Sequence, residues 1–192
     1  ASVTKNIMSI IQLIDLAFDY QEVPLLQNIN FQLDAGDLLH IHGANGTGKT
    51  TLLKVLAGLY RPTAGEIRYN RRNIEEDLAY YQRHLCLLGH KTGISPHLTV
   101  KENCYFDIHY RQEVDLQEPI SAFNIHHQFN TLCSTLSAGQ KRKVGLLRLW
   151  ESDVLLWLLD EPFVALDEQA LAVLLNKIHQ HRQKGGMIVL TS

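Results

Sequence analysis

Cysteine is scarce in this chain, and the little there is lies scattered. Cys86, Cys104 and Cys133 are the only three. An odd number at irregular intervals excludes a disulfide framework and offers no metal-ligand spacing, so a reducing, cytoplasmic setting is expected. Long hydrophobic runs are missing too. The apolar run Val154–Leu159 falls far short of the roughly 20 residues that cross a bilayer, and no signal-peptide pattern opens the chain. Neither sign of charge dominates. Lysine and arginine total 18 against 20 acidic residues, a net charge of -2, so bulk electrostatics gives no reason to expect nucleic acid as a partner or a charged membrane surface. The chain also lacks internal repeats and low-complexity stretches. What remains is 192 residues of ordinary globular composition, enough for one domain with a sizeable core.

The chain has one stretch of high information. Gly43, Ala44, Asn45, Gly46, Thr47, Gly48, Lys49 and Thr50 read G-A-N-G-T-G-K-T, a complete match to the phosphate-binding pattern G-x-x-x-x-G-K-S/T. Glycines let the backbone curl so that successive N–H groups converge on an anion. The following helix, which opens at Thr51, adds the positive end of its dipole. Lys49 supplies a point charge for the terminal phosphates, and the Thr50 hydroxyl suits a magnesium ion. Such a match arises by chance in on the order of one chain per hundred of this size. Context supports it: Asp37–His42 reads as a strand, and Thr51–Ala57 reads as a helix stopped by Gly58.

Elsewhere the pattern alternates strands and helices, which implies a largely parallel sheet covered on both faces and an α/β fold. Ile29–Leu33 alternates like a strand. Asp34–Asp37 and Pro62–Gly65 read as turns, the second leading into the strand Glu66–Tyr69. Leu85–Leu88, Val154–Leu159 and Met187–Leu190 read as buried strands. Helices are expected over Val100–Tyr110, Ala138–Trp150 and Glu168–Gln183, the last with Leu171, Leu174, Leu175 and Ile178 inward. Residues 89–150 carry no strong strand signal and are read as a helical insertion. Met8 is a candidate natural start, with Ala1–Ile7 an upstream extension. The chain stops at Ser192, flush with a core strand, and truncation there is expected.

Leu156–Leu159 followed by Asp160 and Glu161 would deliver two carboxylates to the carboxyl end of a buried strand, where open parallel sheets bind ligands. Asp160 suits magnesium, through a water. Glu161 suits a general base that activates an attacking water. Alone, such an ending is more often a solvated acidic turn; beside the phosphate loop it reads as the second half of a nucleotide site. Ser137 is a good N-cap for the Ala138–Trp150 helix, and Gly139 lets a phosphate approach the backbone.

The order Gly43–Thr50, Leu136-Ser137-Ala138-Gly139-Gln140, Asp160-Glu161-Pro162 and Val164-Ala165-Leu166-Asp167 resembles the ABC transporter ATPases, with Leu136–Gln140 as their signature and Val164–Asp167 as their D-loop. The likeness spans essentially the whole chain. It implies a P-loop NTPase domain: a mixed sheet core, roughly residues 1–88 and 151–192, with an antiparallel β subdomain and an inserted helical subdomain over 89–150. It implies ATP and Mg2+ as ligands, and a head-to-tail pairing with a second copy. In that pairing Ser137, Gly139 and Gln140 of one copy meet the γ-phosphate held by Lys49 of the other. It further implies integral membrane subunits as partners, docked beside Lys91–Thr99, and a peripheral location on the cytoplasmic side of the inner membrane. Tyr20 matches the aromatic residue that stacks on adenine; the plain alternative is a half-exposed strand residue.

Two departures from the family pattern stand out. Where the family usually has glutamine, before Pro96-His97-Leu98-Thr99-Val100, this chain has His90, which can still meet water or magnesium but carries a pH-sensitive charge. The catalytic set implied by the resemblance is thus Lys49, Glu161 and His90, and the magnesium set Thr50, Asp160 and His90. The family's switch histidine is expected just past Ser192. Within the family, Leu88–Ile94, Leu136–Trp150 and Leu156–Phe163 are similar to the ATPases of cytochrome c maturation, the so-called haem exporters, which use ATP to release a haem-loaded chaperone. The rival readings are an ATPase of another transporter and a soluble ABC protein of DNA repair or iron–sulfur assembly. The second is disfavoured because the chain has no coiled-coil insert or paired nucleotide domain. The chain has ten histidines, His40 and His42 falling on one strand face. They are read as part of the nucleotide strand, with no direct haem ligation expected.

Overall fold

A computed structural model of the chain describes residues 10–106, 116–151 and 153–192. Met8, the candidate start, lies outside the described residues. So does the far end of the helix expected over Val100–Tyr110.

The parallel sheet is the wall of the molecule. It contains β3 (Leu38–Ile41), β6 (Leu85–Leu88), β7 (Leu156–Leu159) and β8 (Met187–Thr191), in the order β3-β8-β7-β6. Every residue of β7 and β8 is buried, as a continuous apolar run in a two-faced sheet requires. Because side chains alternate along a strand, each strand feeds two cores. Leu156, Leu158, Met187 and Val189 enter one core; Trp157, Leu159, Ile188 and Leu190 enter the other.

The first core is closed by an antiparallel sheet in the order β2-β1-β4-β5 and by helix α1 (Lys49–Leu56). The strands are β1 (Ile11–Tyr20), β2 (Val23–Leu33), β4 (Ala64–Tyr69) and β5 (Arg72–Asn73). This sheet supplies the antiparallel part of the mixed α/β architecture. The hairpins β1–β2 and β4–β5 turn on Gln21-Glu22 and Asn70-Arg71, all four with positive φ. Two-residue hairpins of that kind favour Asn-Gly pairs, so Gln21-Glu22 gave no turn signal in the sequence. β4 begins at Ala64, inside the segment expected to turn. Gly65 is obligatory there: with φ of 75°, a Cβ would come within 2.4 Å of the main-chain oxygens of Ile14 and Asp15, where β1 bulges.

Helix α2 (Leu78–Gln82), ahead of β6, packs on the first core through Tyr81. The second core is covered by α3 (Val100–Tyr105), α4 (Gln117–Ala122), α5 (Ala138–Leu146), α6 (Arg148–Glu151) and α7 (Glu168–Gln183). Among the described residues, 89–150 hold helices and irregular chain, apart from one bridge between Thr99 and Leu132. The helix expected over Ala138–Trp150 is broken at Leu147. The N–H groups of Leu147 and Trp150 each bond three residues back, to Val144 and Leu147, which tightens the turn and interrupts the ladder. Helix α7 has the expected bounds but a rotated face. Ala170, Leu174 and Ile178 are buried, Leu171 is half-buried and Leu175 is exposed. Small Ala170, not Leu175, completes the stripe at i, i+4, i+8.

Candidate nucleotide site

Edge strand β3 runs into the glycine loop, which runs into α1. Gly46 and Gly48 hold φ of 85° and 94°, a left-handed curl that suits glycine. A Cβ on Gly43 would sit 2.9 Å from Thr47 Oγ1, and one on Gly48 would meet Leu25 and Leu26 at 3.1 Å. The curl is closed by Thr47, whose hydroxyl donates to the Ala44 carbonyl at 2.9 Å. Gly48 caps α1 without any side-chain bond, and the first turn has no acidic residue. The leading N–H groups of the helix are therefore left for an anion. Lys49 folds back over the loop and donates to the carbonyls of Gly43 and Ala44. The loop thus offers a cradle of donors with its one ammonium group at the rim.

Asp160 emerges from the end of β7 and is 2% exposed. Its main chain continues the parallel pairing, donating to Leu88 O at 2.8 Å. One carboxylate oxygen accepts from the Thr50 hydroxyl at 2.8 Å, the other from the Thr191 hydroxyl at 2.7 Å. A carboxylate and a hydroxyl in direct contact at the loop's base form a hard-oxygen pair suited to magnesium. Glu161 follows with φ of 47°, a left-handed conformation uncommon outside glycine. Its N–H donates to Thr191 Oγ1 at 3.0 Å, and its carboxylate lies 3.2 Å from His90 Nδ1.

Behind this pair lies Arg142, from the middle of α5, only 5% exposed. Its guanidinium donates to the carbonyls of Gly89, Asp160 and Glu161 at 3.1, 2.9 and 2.7 Å. Burial pushes its pKa down from the usual arginine value, while the carboxylates of Asp160 and Glu161 pull it up. Neighbouring Lys143 donates to the Asp167 carboxylate at 2.6 Å. A Cβ on Gly139 would lie 3.0 Å from the Ala165 carbonyl, so within this chain that glycine admits the 164–167 loop.

Asn45, Gly46, Gly48, Lys49, Thr50, Thr51, His90 and Glu161 border one open cavity of about 370 Å³, a size typical of ligand sites. The loop, the carboxylate and the histidine therefore meet. Ser137, Gly139, Gln140 and Tyr20 do not line it. Ser137 is exposed and forms a capping box with Gln140: its hydroxyl accepts from the Gln140 N–H at 3.2 Å, and Gln140 Oε1 accepts from the Ser137 N–H at 2.9 Å. Tyr20 stands at the end of β1, 55% exposed. His40 and His42, with rings 3.6 Å apart, both reach the Ser192 hydroxyl, at 2.9 and 3.0 Å. No helix among the described residues is long and apolar enough to cross a membrane.

Two residues central to this geometry escaped sequence reasoning. Thr191 carried only a weak signal, a hydroxyl at the end of an otherwise apolar strand. Arg142 was one basic residue among three in Lys141-Arg142-Lys143, and nothing in the pattern singles out the one that turns inward.

Comparisons with known proteins bear on the family and the fold. Residues 26–164 match the family model described as ABC transporter. A relative from Legionella pneumophila, "Cytochrome c biogenesis ATP-binding export protein CcmA", is 53% identical over 183 residues, covering 95% of this chain and 92% of its own. Its namesake in Vibrio cholerae serotype O1 is 42% identical over 88% of this chain and 83% of its own. Among solved structures, the "ATP binding subunit of ABC transporter" overlays with a TM-score of 0.82 at 24% identity, covering 95% of this chain and 79% of that one. An ATP-binding cassette in a dimeric post-hydrolysis state bound to ADP and Pi overlays at 0.83 and 21%, covering 95% and 87%. At these identities the overlays speak to the fold alone.

Proposed function

The chain belongs to the ABC transporter family of ATPases, and from that premise we propose that it is the ATP-hydrolysing subunit of a cytochrome c biogenesis export complex. The observation that carries the reading is the single cavity shared by Lys49, Thr50, His90 and Glu161. The loop amides and Lys49 hold the triphosphate. Thr50 and Asp160 hold magnesium, which supplies charge neutralisation at the phosphates. Glu161 takes a proton from the attacking water as its oxygen bonds to the γ-phosphorus and ADP leaves. His90 sits against the Glu161 carboxylate and orients it and the water, where the wider family places glutamine. Tyr20 stacks on the base.

The site of one chain is half of the working unit. Ser137, Gly139 and Gln140 stand on the exposed start of α5, outside the chain's own cavity, and serve the nucleotide of a second copy arranged head to tail. Residues 89–150 form the helical subdomain, and 1–88 with 151–192 the core. Exposed Lys91, Pro96 and His97 mark the segment that meets the membrane subunits, which keeps the protein peripheral on the cytoplasmic side of the inner membrane. Haem is handled by those subunits.

The test is Lys49→Ala in the native host. Loss of ATP-dependent cytochrome c production with normal protein levels is the expected result; unchanged production overturns the proposal. Co-purification with an unrelated set of membrane subunits would move the chain to another transporter while leaving the ATPase reading intact.

A further inference from the structure

Arg142 is an expensive residue to keep where it is. A buried guanidinium loses its hydration, and nothing in direct contact gives it a counter-charge: its three bonds go to main-chain carbonyls, and its Nε has no hydrogen-bond partner. Even whole buried ion pairs can often be replaced by well-packed hydrophobic residues without loss of stability, so a buried charge is weak evidence of a stabilising role. The fold alone therefore gives little reason for an arginine here.

The identity of the carbonyls supplies one. Gly89 directly precedes His90. Glu161 is itself gripped, and Asp160 precedes it. The guanidinium thus holds the main chain on both sides of the contact between His90 and Glu161. It also fixes the peptide oxygen of a residue whose φ of 47° must be kept by its surroundings. The other end of the lever is α5, whose N-terminus carries Ser137. From Arg142 to the Ser137 cap is little more than one helical turn.

We propose that Arg142 is a positioning residue that sets the facing geometry of His90 and Glu161 and ties it to the orientation of the signature helix α5. It touches neither nucleotide nor water. It acts by holding the peptides at 89, 160 and 161, so a displacement of α5 is felt first at the Glu161 carboxylate. This rests on the reading of the cavity as an ATPase centre.

The experiment uses the full-length protein in its membrane complex. Three quantities are measured for wild type, Arg142→Met and Arg142→Lys: thermal midpoint, magnesium-ATP affinity and steady-state turnover. Methionine preserves the volume but donates nothing; lysine keeps the charge but cannot reach three carbonyls in one plane. The expected result is a kcat lower by roughly tenfold to a hundredfold in both variants, the scale of a misplaced catalytic group, with KM for ATP little changed; the melting midpoint falls modestly in Arg142→Met, because three main-chain acceptors lose their donor. Because the residue acts through Glu161, Arg142→Met in a Glu161→Gln background should lower single-turnover hydrolysis less than twofold further, a non-additivity that a merely structural role would not produce. Guanidinium ion should restore part of the turnover of Arg142→Ala.

Turnover within twofold of wild type in Arg142→Met overturns the proposal. So does a parallel loss of ATP affinity and melting midpoint in all variants, or full additivity with Glu161→Gln. A wild-type complex that neither binds nor hydrolyses ATP would instead sink the ATPase reading itself, so the two failures are separable.

Discussion

The two sheets of this protein are built from the same kinds of residue and do different things. In the parallel sheet, β7 and β8 are buried along their whole length, and the residues at their carboxyl ends, Asp160, Glu161 and Thr191, are cross-bonded. In the antiparallel sheet, β2 buries fully only Leu26 and Leu33, and β1 is interrupted by register shifts. The first sheet can hold a reacting group in place because both of its faces are packed; the second offers surface, with Tyr20 at its rim. The buried sheet fixes the groups at its carboxyl end, while the antiparallel sheet leaves much of β2 exposed.

The comparison can be broken in three places, beginning with the largest effect. Glu161→Gln removes the carboxylate proposed as the base, at the end of β7, while keeping its size. Turnover is expected to fall about 100-fold or more with ATP affinity preserved; equal losses in both would mean that the carboxylate serves binding. Second, Trp157→Ala removes a side chain 1% exposed in the parallel sheet and should cost about 3–5 kcal/mol by denaturant unfolding. Val23→Ala, at a position 65% exposed in the antiparallel sheet, should stay within about 0.5 kcal/mol. Similar costs at the two sites would erase the contrast.

The smallest effect concerns His181, which stacks flat on Trp157 with ring centroids 3.7 Å apart and an interplanar angle of 5°. Burial pushes its pKa down from the usual 6.5 to about 4. The unfolded chain therefore binds the extra proton across that interval, and stability rises with pH. The contribution is complete above about pH 6.5 and fades as pH falls towards about 4. The melting midpoint of wild type should drop over that range more than that of His181→Phe; parallel curves for the two proteins would assign the acid sensitivity to other groups.

Much of this was legible in the sequence because it is local. The glycine loop needs fixed residues at fixed spacing, so Gly43–Thr50 reads directly. The all-apolar runs of β6, β7 and β8 have one plausible home, a sheet covered on both faces. The resemblance implies His90 and Glu161 for one catalytic set, but their direct contact is visible only in the structure. What stayed hidden depends on tertiary direction. Arg142 and Lys143 are adjacent and both basic, yet one is buried behind the site and the other reaches Asp167. Leu175 is as apolar as Leu174 and faces solvent, because the face is set by what α7 packs against. The break at Leu147 and the turn at Gln21-Glu22 carry no glycine or proline that would mark them.

The central claim is that a curled backbone and one ammonium group grip a nucleoside triphosphate. Calorimetric titration of magnesium-ATP into the folded full-length protein tests it most directly. The account predicts saturable binding to wild type that Lys49→Ala loses while remaining folded. Absence of saturable heat from folded wild type, or undiminished binding by Lys49→Ala, would contradict it.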